Sequence, residues 1–199
     1  MVKIAVIGVG ARGLEYMSFV KYFHKKEAEI AAICDCNPTR LAEAAKRFSL
    51  PAEKCFADED DFFGAGKQAD AVFICTQDKS HVGHALKAID AGYKNILLEK
   101  PVSNNVAECE NLAAKAKVAG ANLVVCHVLR YSNYYKKIKE ILRSGKLGEI
   151  VSISHSESVA YFHFAHSFVR GNWHNEAQSN PSLLAKCCHD IDLIQWFMN

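Results

Sequence analysis

No apolar run in this chain approaches the roughly 20 residues a membrane-spanning helix needs, and its first residues read as a strand, not a signal peptide. A membrane protein is therefore not expected, and a cytoplasmic location is. A basic stripe interleaved with aromatics is also missing, and the formal net charge of +2 is too small to point to nucleic acid. Cys34/Cys36 and Cys187/Cys188 have no second pair at zinc-finger spacing, which argues against a structural metal site. Without a secretory signal, the eight cysteines read as reduced thiols; Cys34, Cys75 and Cys126 each end an apolar run where small buried thiols are common. Internal repeats and low-complexity tracts are absent as well. With half of its 199 residues hydrophobic and 23% charged, the chain can bury a substantial core as one or two ordinary globular domains.

The informative stretch is the beginning. Lys3 to Ile7 is a run of β-branched and small apolar residues that stops at Gly8-Val9-Gly10-Ala11-Arg12-Gly13. Beyond it Leu14, Met17, Ser18, Phe19, Tyr22 and Phe23 recur at helical spacing. Strand, Gly-x-Gly-x-x-Gly and helix in that order predict a dinucleotide-binding turn; three glycines without those flanks would predict only a loop. Gly8 makes the tight turn, Gly10 admits a pyrophosphate to the backbone, and Gly13 lets helix and strand approach. Ala11 and Arg12 open the helix whose N-terminus favours the phosphates.

The rest of the chain alternates strand and helix. Glu29–Cys34 reads as a strand, and Asn37-Pro38 as the cap and first position of a helix. The segment from Leu50 to Gly66 is less regular, with an acidic helix start at Asp58–Asp61. Further strands are expected at Ala69–Cys75, Lys94–Leu98 and Asn122–Cys126, with helices at His81–Ala91, Val106–Val118 and Tyr134–Arg143. The pattern predicts an α/β fold, a Rossmann-type parallel sheet with helices on both faces. The rhythm breaks near Gly145–Gly148. Glu149–Val159 then alternates like a strand with one solvated face, and a helix runs from about Ser182 to the end. The expected division is residues 1–130, dinucleotide-binding, and 131–199, part of a second α/β domain.

Polar residues cluster at the ends of these strands. Asp35 stands where an acidic side chain would accept hydrogen bonds from the adenosine ribose and repel a 2′-phosphate, which favours NAD over NADP. It is also placed to cap the Asn37-Pro38 turn. Arg40 and Arg12 keep NADP open, since a guanidinium accepts the extra phosphate. Thr76, Gln77 and His81 follow a strand C-terminus, the usual ligand side of an open α/β sheet. Glu99-Lys100-Pro101 ends a buried strand, where a charged pair is costly unless solvated or used; Lys100 there can polarise or protonate an oxygen during hydride transfer. Lys186, His189 and Asp192 share one face of the last helix, as an acid/base cluster or a surface salt-bridge ladder.

Together these segments resemble the Gfo/Idh/MocA family of nicotinamide-dependent oxidoreductases. The resemblance rests on Gly8–Gly13, Asp35–Pro38, Thr76–His81, Glu99-Lys100-Pro101, Arg130-Tyr131, Gly145–Gly148 and His189-Asp190-Ile191-Asp192, in family order along nearly the whole chain. It implies NAD as cofactor, a sugar, cyclitol or related alcohol as substrate, and a second domain whose open sheet often mediates homo-oligomerisation. It also implies Lys100 as the active-site lysine and His189 as acid/base. Gly8, Gly10, Ala11, Arg12, Gly13, Asp35, Arg40, Thr76, Gln77, His81, Glu99 and Lys100 would line the cofactor.

Three departures matter. The family turn Thr-Pro-Asn is Thr76-Gln77-Asp78 here. The family aspartate four residues before the histidine is Ala185, with Lys186 beside it as a possible substitute. Family members also continue well past Asn199. The expectation is then a Rossmann half that folds alone, an incomplete second domain, and exposed apolar side chains at Leu183, Leu184, Ile191, Leu193, Ile194, Trp196 and Phe197. Two further functions stay open: an NAD-dependent glycoside hydrolase of the same family and a non-catalytic NAD-binding protein.

Overall fold

In the computed structural model every residue except 172 and 176–178 is described, and these fall into two compact units, Met1–Val125 and Cys126–Asn199. The first is built on six parallel strands, β1 (Val2–Ile7), β2 (Ala28–Cys34), β3 (Cys55–Phe56), β4 (Ala71–Ile74), β5 (Asn95–Leu98) and β6 (Asn122–Val125). Their order across the sheet is β3-β2-β1-β4-β5-β6, the doubly wound Rossmann order. Helices α1 (Ala11–Phe23), α2 (Pro38–Phe48), α3 (Glu59–Gly64), α4 (His81–Asp90) and α5 (Val106–Ala119) connect them.

The alternation of side chains along β1 explains why both faces are covered. Ile4 and Val6 join Met17 and Val20 of α1 and Ala44 of α2 in one core. Ala5 and Ile7 point the other way, into a core with Phe62 of α3, Val82, Ala85 and Ala88 of α4, and Leu112 and Ala116 of α5. Ile4 to Ile7, buried on both faces, must all be apolar, which is why this part of β1 reads as a continuous hydrophobic run.

The helix boundaries follow local chemistry. Asn37 accepts a hydrogen bond from Arg40 N–H (3.0 Å) with Pro38 next to it, so α2 starts where a cap and a preset φ coincide. Asp58 caps α3 and Asn105 caps α5; α5 stops at Gly120, whose φ of 61° lies in the left-handed region. The two-residue β3 has too little pattern to stand out in sequence.

The second unit holds α6 (Asn133–Arg143), α7 (Tyr161–Phe164), the single π-helical turn Ala165–Val169 and α8 (Ser182–Met198). Lys139 of α6, though on a polar-looking helix face, is buried and donates to the carbonyls of Trp196 and Phe197 at the end of α8. Burial, then the charges of Arg143 and Arg130, push its ammonium pKa below the usual lysine value.

Two expectations change here. Glu149–Val159 forms no regular element, and no strand lies in the second unit among the described residues. Alternation encodes a face, whereas a strand also needs a partner's backbone groups. The apolar positions of α8 are also not uniformly exposed: Leu183 and Ile191 are, while Leu193 is fully buried and Trp196 lies beneath the Arg130 guanidinium (5.8 Å).

Candidate functional site

In an open α/β sheet the ligand side is the carboxyl end of the strands, where the order reverses between β1 and β4. Gly8 to Gly13 sits there. Gly8 has φ +88°, and a Cβ on it would meet the Cys75 carbonyl oxygen at 2.6 Å. A Cβ on Gly13 would lie 2.0 Å from the Gly8 oxygen, so glycine is required for α1 to start this close to β1. Gly10 differs. Its φ of −68° suits any residue, and the nearest atom to an added Cβ is the Arg40 guanidinium at 4.0 Å. Nothing in the fold demands glycine at this position, and the space over its backbone is open. Gly10 also provides no side chain to cap the first N–H groups of α1, leaving Ala11, Arg12 and Gly13 at an anion-favouring helix start.

Asp35, just past β2, is buried beside this turn. Its Oδ2 accepts from Val9 N–H (2.8 Å) and its Oδ1 from Asn37 N–H (2.8 Å), so it braces the glycine turn and the α2 turn at once. Each carboxylate oxygen keeps a further acceptor site for a sugar hydroxyl. The neighbouring Cys34 thiol is pushed up to about 12, by burial first and then by the charges of Glu59 and Asp35, and stays a neutral space-filler.

Arg12 and Arg40 do not act together. Arg40 overlooks Gly10 from α2, whereas Arg12 pairs with Glu15 (2.5 Å) and lies 3.6 Å from Glu99. Glu99 is buried at the end of β5 and accepts from the Tyr16 hydroxyl (2.6 Å), while the Lys100 N–H approaches its other oxygen at 3.3 Å. The cost of burying this carboxylate is thus offset from α1. Lys100 precedes a cis peptide bond to Pro101.

His81 ties the two loops flanking this site. Its ring is buried; Nδ1–H donates to the Pro101 carbonyl (2.7 Å), and Nε2 lies 3.1 Å from the Thr76 carbonyl. It therefore braces the backbone on either side of the site. Gln77 is exposed in the same loop, and Asp78 behind it is buried. Thr76 leads outward: its hydroxyl donates to His84 Nδ1 (3.0 Å), His84 Nε2–H donates to Glu59, and Lys87 donates to Glu59 (2.5 Å) and Asp60 (2.7 Å). Burial works against the Glu59 carboxylate, but hydrogen bonds from Lys87 and His84 outweigh it and hold its pKa below the ordinary value.

The second unit carries its own cluster. Lys186 and His189 lie one turn apart on α8, half-buried. The His189 ring packs edge-on against His127, centroids 5.7 Å apart. Asp192 is held by Arg130 through two hydrogen bonds of 2.6 Å, so it belongs to no surface ladder with Lys186. His155 Nε2–H donates to Asp190 Oδ1 (2.6 Å).

Tyr16, His84, Glu59, His127 and His155 were not candidates from sequence. His84, three residues after His81 on one helix face, and Tyr16, four after Arg12, had spacing that would have found them. The others are joined by the fold alone.

Comparison with known proteins agrees with this architecture. Residues 2–127 match the model described as oxidoreductase family, NAD-binding Rossmann fold, and residues 139–199 match its C-terminal alpha/beta domain. The oxidoreductase YteT of Bacillus subtilis is 28% identical over the whole chain, which covers 46% of it. The glycosyl hydrolase family 109 protein 2 of Phocaeicola vulgatus is 27% identical over 82% of the chain and 39% of its own length. The crystal structure of scyllo-inositol dehydrogenase from Lactobacillus casei, with bound NAD(H) and scyllo-inositol, is 26% identical. It superposes with a TM-score of 0.81 over 99% of this chain and 56% of that one. The chain thus spans about half the length of the curated relatives it matches. With the Rossmann model alone covering more than half of its residues, the chain belongs to the Gfo/Idh/MocA oxidoreductase family.

Proposed function

We propose that this chain serves hydride transfer between a sugar, cyclitol or related alcohol and NAD. The observation that carries the reading is the glycine turn at the sheet's switch point: two glycines are demanded by packing, while the third, Gly10, faces open space that packing does not explain. That space, an uncapped helix start and the buried Asp35 fit a dinucleotide pyrophosphate and its ribose. Gly8, Gly10, Ala11, Arg12 and Gly13 would hold the phosphates, Asp35 the ribose hydroxyls, and Thr76, Gln77, His81 and Glu99 the loops around the nicotinamide. When bound, the nicotinamide supplies the hydride acceptor or donor.

The chain's own residues handle protons. Lys100 Nζ is the group we assign to the reacting oxygen, receiving its proton in oxidation and returning it in reduction. Tyr16 and Arg12 position it indirectly, by fixing the Glu99 carboxylate next to its backbone. His189 is assigned as the partner acid/base, with Lys186 beside it in place of the carboxylate that Ala185 lacks. A homo-oligomer would follow the family pattern. Eight cysteines without a disulfide fit a reducing compartment such as the cytoplasm.

NAD is preferred over NADP because the Asp35 carboxylate would oppose a 2′-phosphate, while Arg40, reaching over Gly10, is the residue that would accept NADP in the alternative. Calorimetric titration with NADH and NADPH tests this: tighter NADH binding is expected, and Asp35→Ala should lose most of it. A clear NADPH preference in the parent chain would overturn the cofactor assignment. The Phocaeicola vulgatus relative motivates a second reading, glycoside cleavage through transient oxidation. It predicts cofactor that stays bound through turnover and no net reduction of added NAD.

A further inference from the structure

The second unit contains a donor set that the hydride-transfer reading does not use. His155, Glu157 and Asp190 each present one ligand atom, an imidazole nitrogen or a carboxylate oxygen, and these atoms all lie within 4.8 Å of one another. His155 and Glu157 are two apart in the chain, and their ligand atoms converge with that of Asp190. Asp190 comes from α8 and is nine-tenths buried. Its Oδ1 accepts from His155, but its Oδ2 is buried with no hydrogen-bond partner. A buried carboxylate oxygen without a partner is costly and asks for an explanation, an ion among them. The Cys187 thiol lies beside this carboxylate. It bonds the Asp190 side chain only as a weak donor, which a cation would outcompete.

We propose that His155, Glu157 and Asp190 form a binding site for a divalent first-row transition-metal ion. One imidazole and two carboxylates are the nitrogen and oxygen donors such ions take, at about 2.0–2.2 Å. The exposed Glu157 closes the remaining span by a small shift of its side chain. On binding, His155 Nε2 offers its lone pair in place of the N–H it now gives Asp190, and the ring's proton resides on Nδ1. Asp190 Oδ2 gains the cation it lacks. Three protein ligands leave at least one coordination position open, as in sites where a metal holds water or an oxygen ligand from a small molecule. The oxygen-rich class fits: a vicinal diol or hydroxy acid chelates such an ion through two oxygens.

The test is titration of the metal-stripped 199-residue chain with Co2+, followed by its visible absorption. The expected result is one saturable equivalent with no thiolate charge-transfer band. His155→Ala and Asp190→Asn should each weaken it at least about tenfold. Glu157→Gln, a near-isosteric change at an exposed position, should weaken it as well. The proposal is overturned if the parent shows no saturable equivalent, if a thiolate band dominates, or if Glu157→Gln and His155→Ala bind within twofold of the parent. None of these readouts involves NADH, so failure here leaves the cofactor reading standing, and the reverse holds.

Discussion

The three glycines of the opening turn separate what folding requires from what a ligand requires. An alanine at position 13 would push a methyl to 2.0 Å from the Gly8 carbonyl oxygen, a backbone atom that cannot step aside. Gly13→Ala should destabilise the chain by about 3 kcal/mol, read as a large drop in thermal midpoint. At Gly10 the methyl meets only the flexible Arg40 guanidinium at 4.0 Å and φ already suits alanine, so the midpoint should barely move. NADH affinity should nonetheless fall at least about tenfold, because the methyl occupies the space where a pyrophosphate meets the backbone. If Gly10→Ala binds NADH like the parent, the cradle is not where we place it. The packing roles of Gly8 and Gly13 were legible in sequence because each depends on the absence of one methyl in a local turn. The Tyr16–Glu99 bond was not, since its partners are 83 residues apart and only the sheet order brings α1 over β5. The same holds for His155 and Asp190, which share no pattern along the chain.

At the scale of elements, buried strands and capped helices were readable, and elements defined by a partner were not. Asn37-Pro38 marks the start of α2 from two adjacent residues, whereas β3 is a two-residue pairing with β2 and Glu149–Val159 has alternation without a neighbour. The packing of α3 against α4 yields the clearest pH prediction. Glu59 has a folded pKa below its unfolded value of about 4.3. Its contribution to stability is therefore complete above that value and disappears as pH falls through the lower folded one. Glu59→Gln should be less stable than the parent at pH 7, by about 1 kcal/mol once solvent screening of this one-third exposed carboxylate is allowed for. Below the folded pKa both chains carry a neutral group at position 59 and their stabilities should converge. Urea melts at pH 7 and at successively lower pH follow the gap as it closes. A gap that persists unchanged into acid would show that shape, not charge, accounts for the loss.

On the roles proposed above, the molecule as a whole divides its tasks along the chain. Both hydrophobic cores that hold the sheet draw every member from residues 4–123, and every residue assigned to the cofactor lies between Gly8 and Lys100. The chain's other chemistry, His189 and the His155–Glu157–Asp190 set, lies wholly in Cys126–Asn199. A unit of this size with complete helical layers on both sheet faces buries enough surface to fold by itself. Residues 1–125 produced alone should therefore melt cooperatively and bind NADH within about threefold of the 199-residue chain, since no assigned contact is removed; a threefold change is about 0.65 kcal/mol. Co2+ binding should be absent from the shorter chain, because all three donors have gone. Circular dichroism melts, NADH titration and Co2+ titration of the two chains make the comparison. An isolated 1–125 unit that folds but has lost NADH affinity by a hundredfold would mean that the second unit supplies part of the cofactor site, and Gly10 and Asp35 would then be insufficient to explain binding.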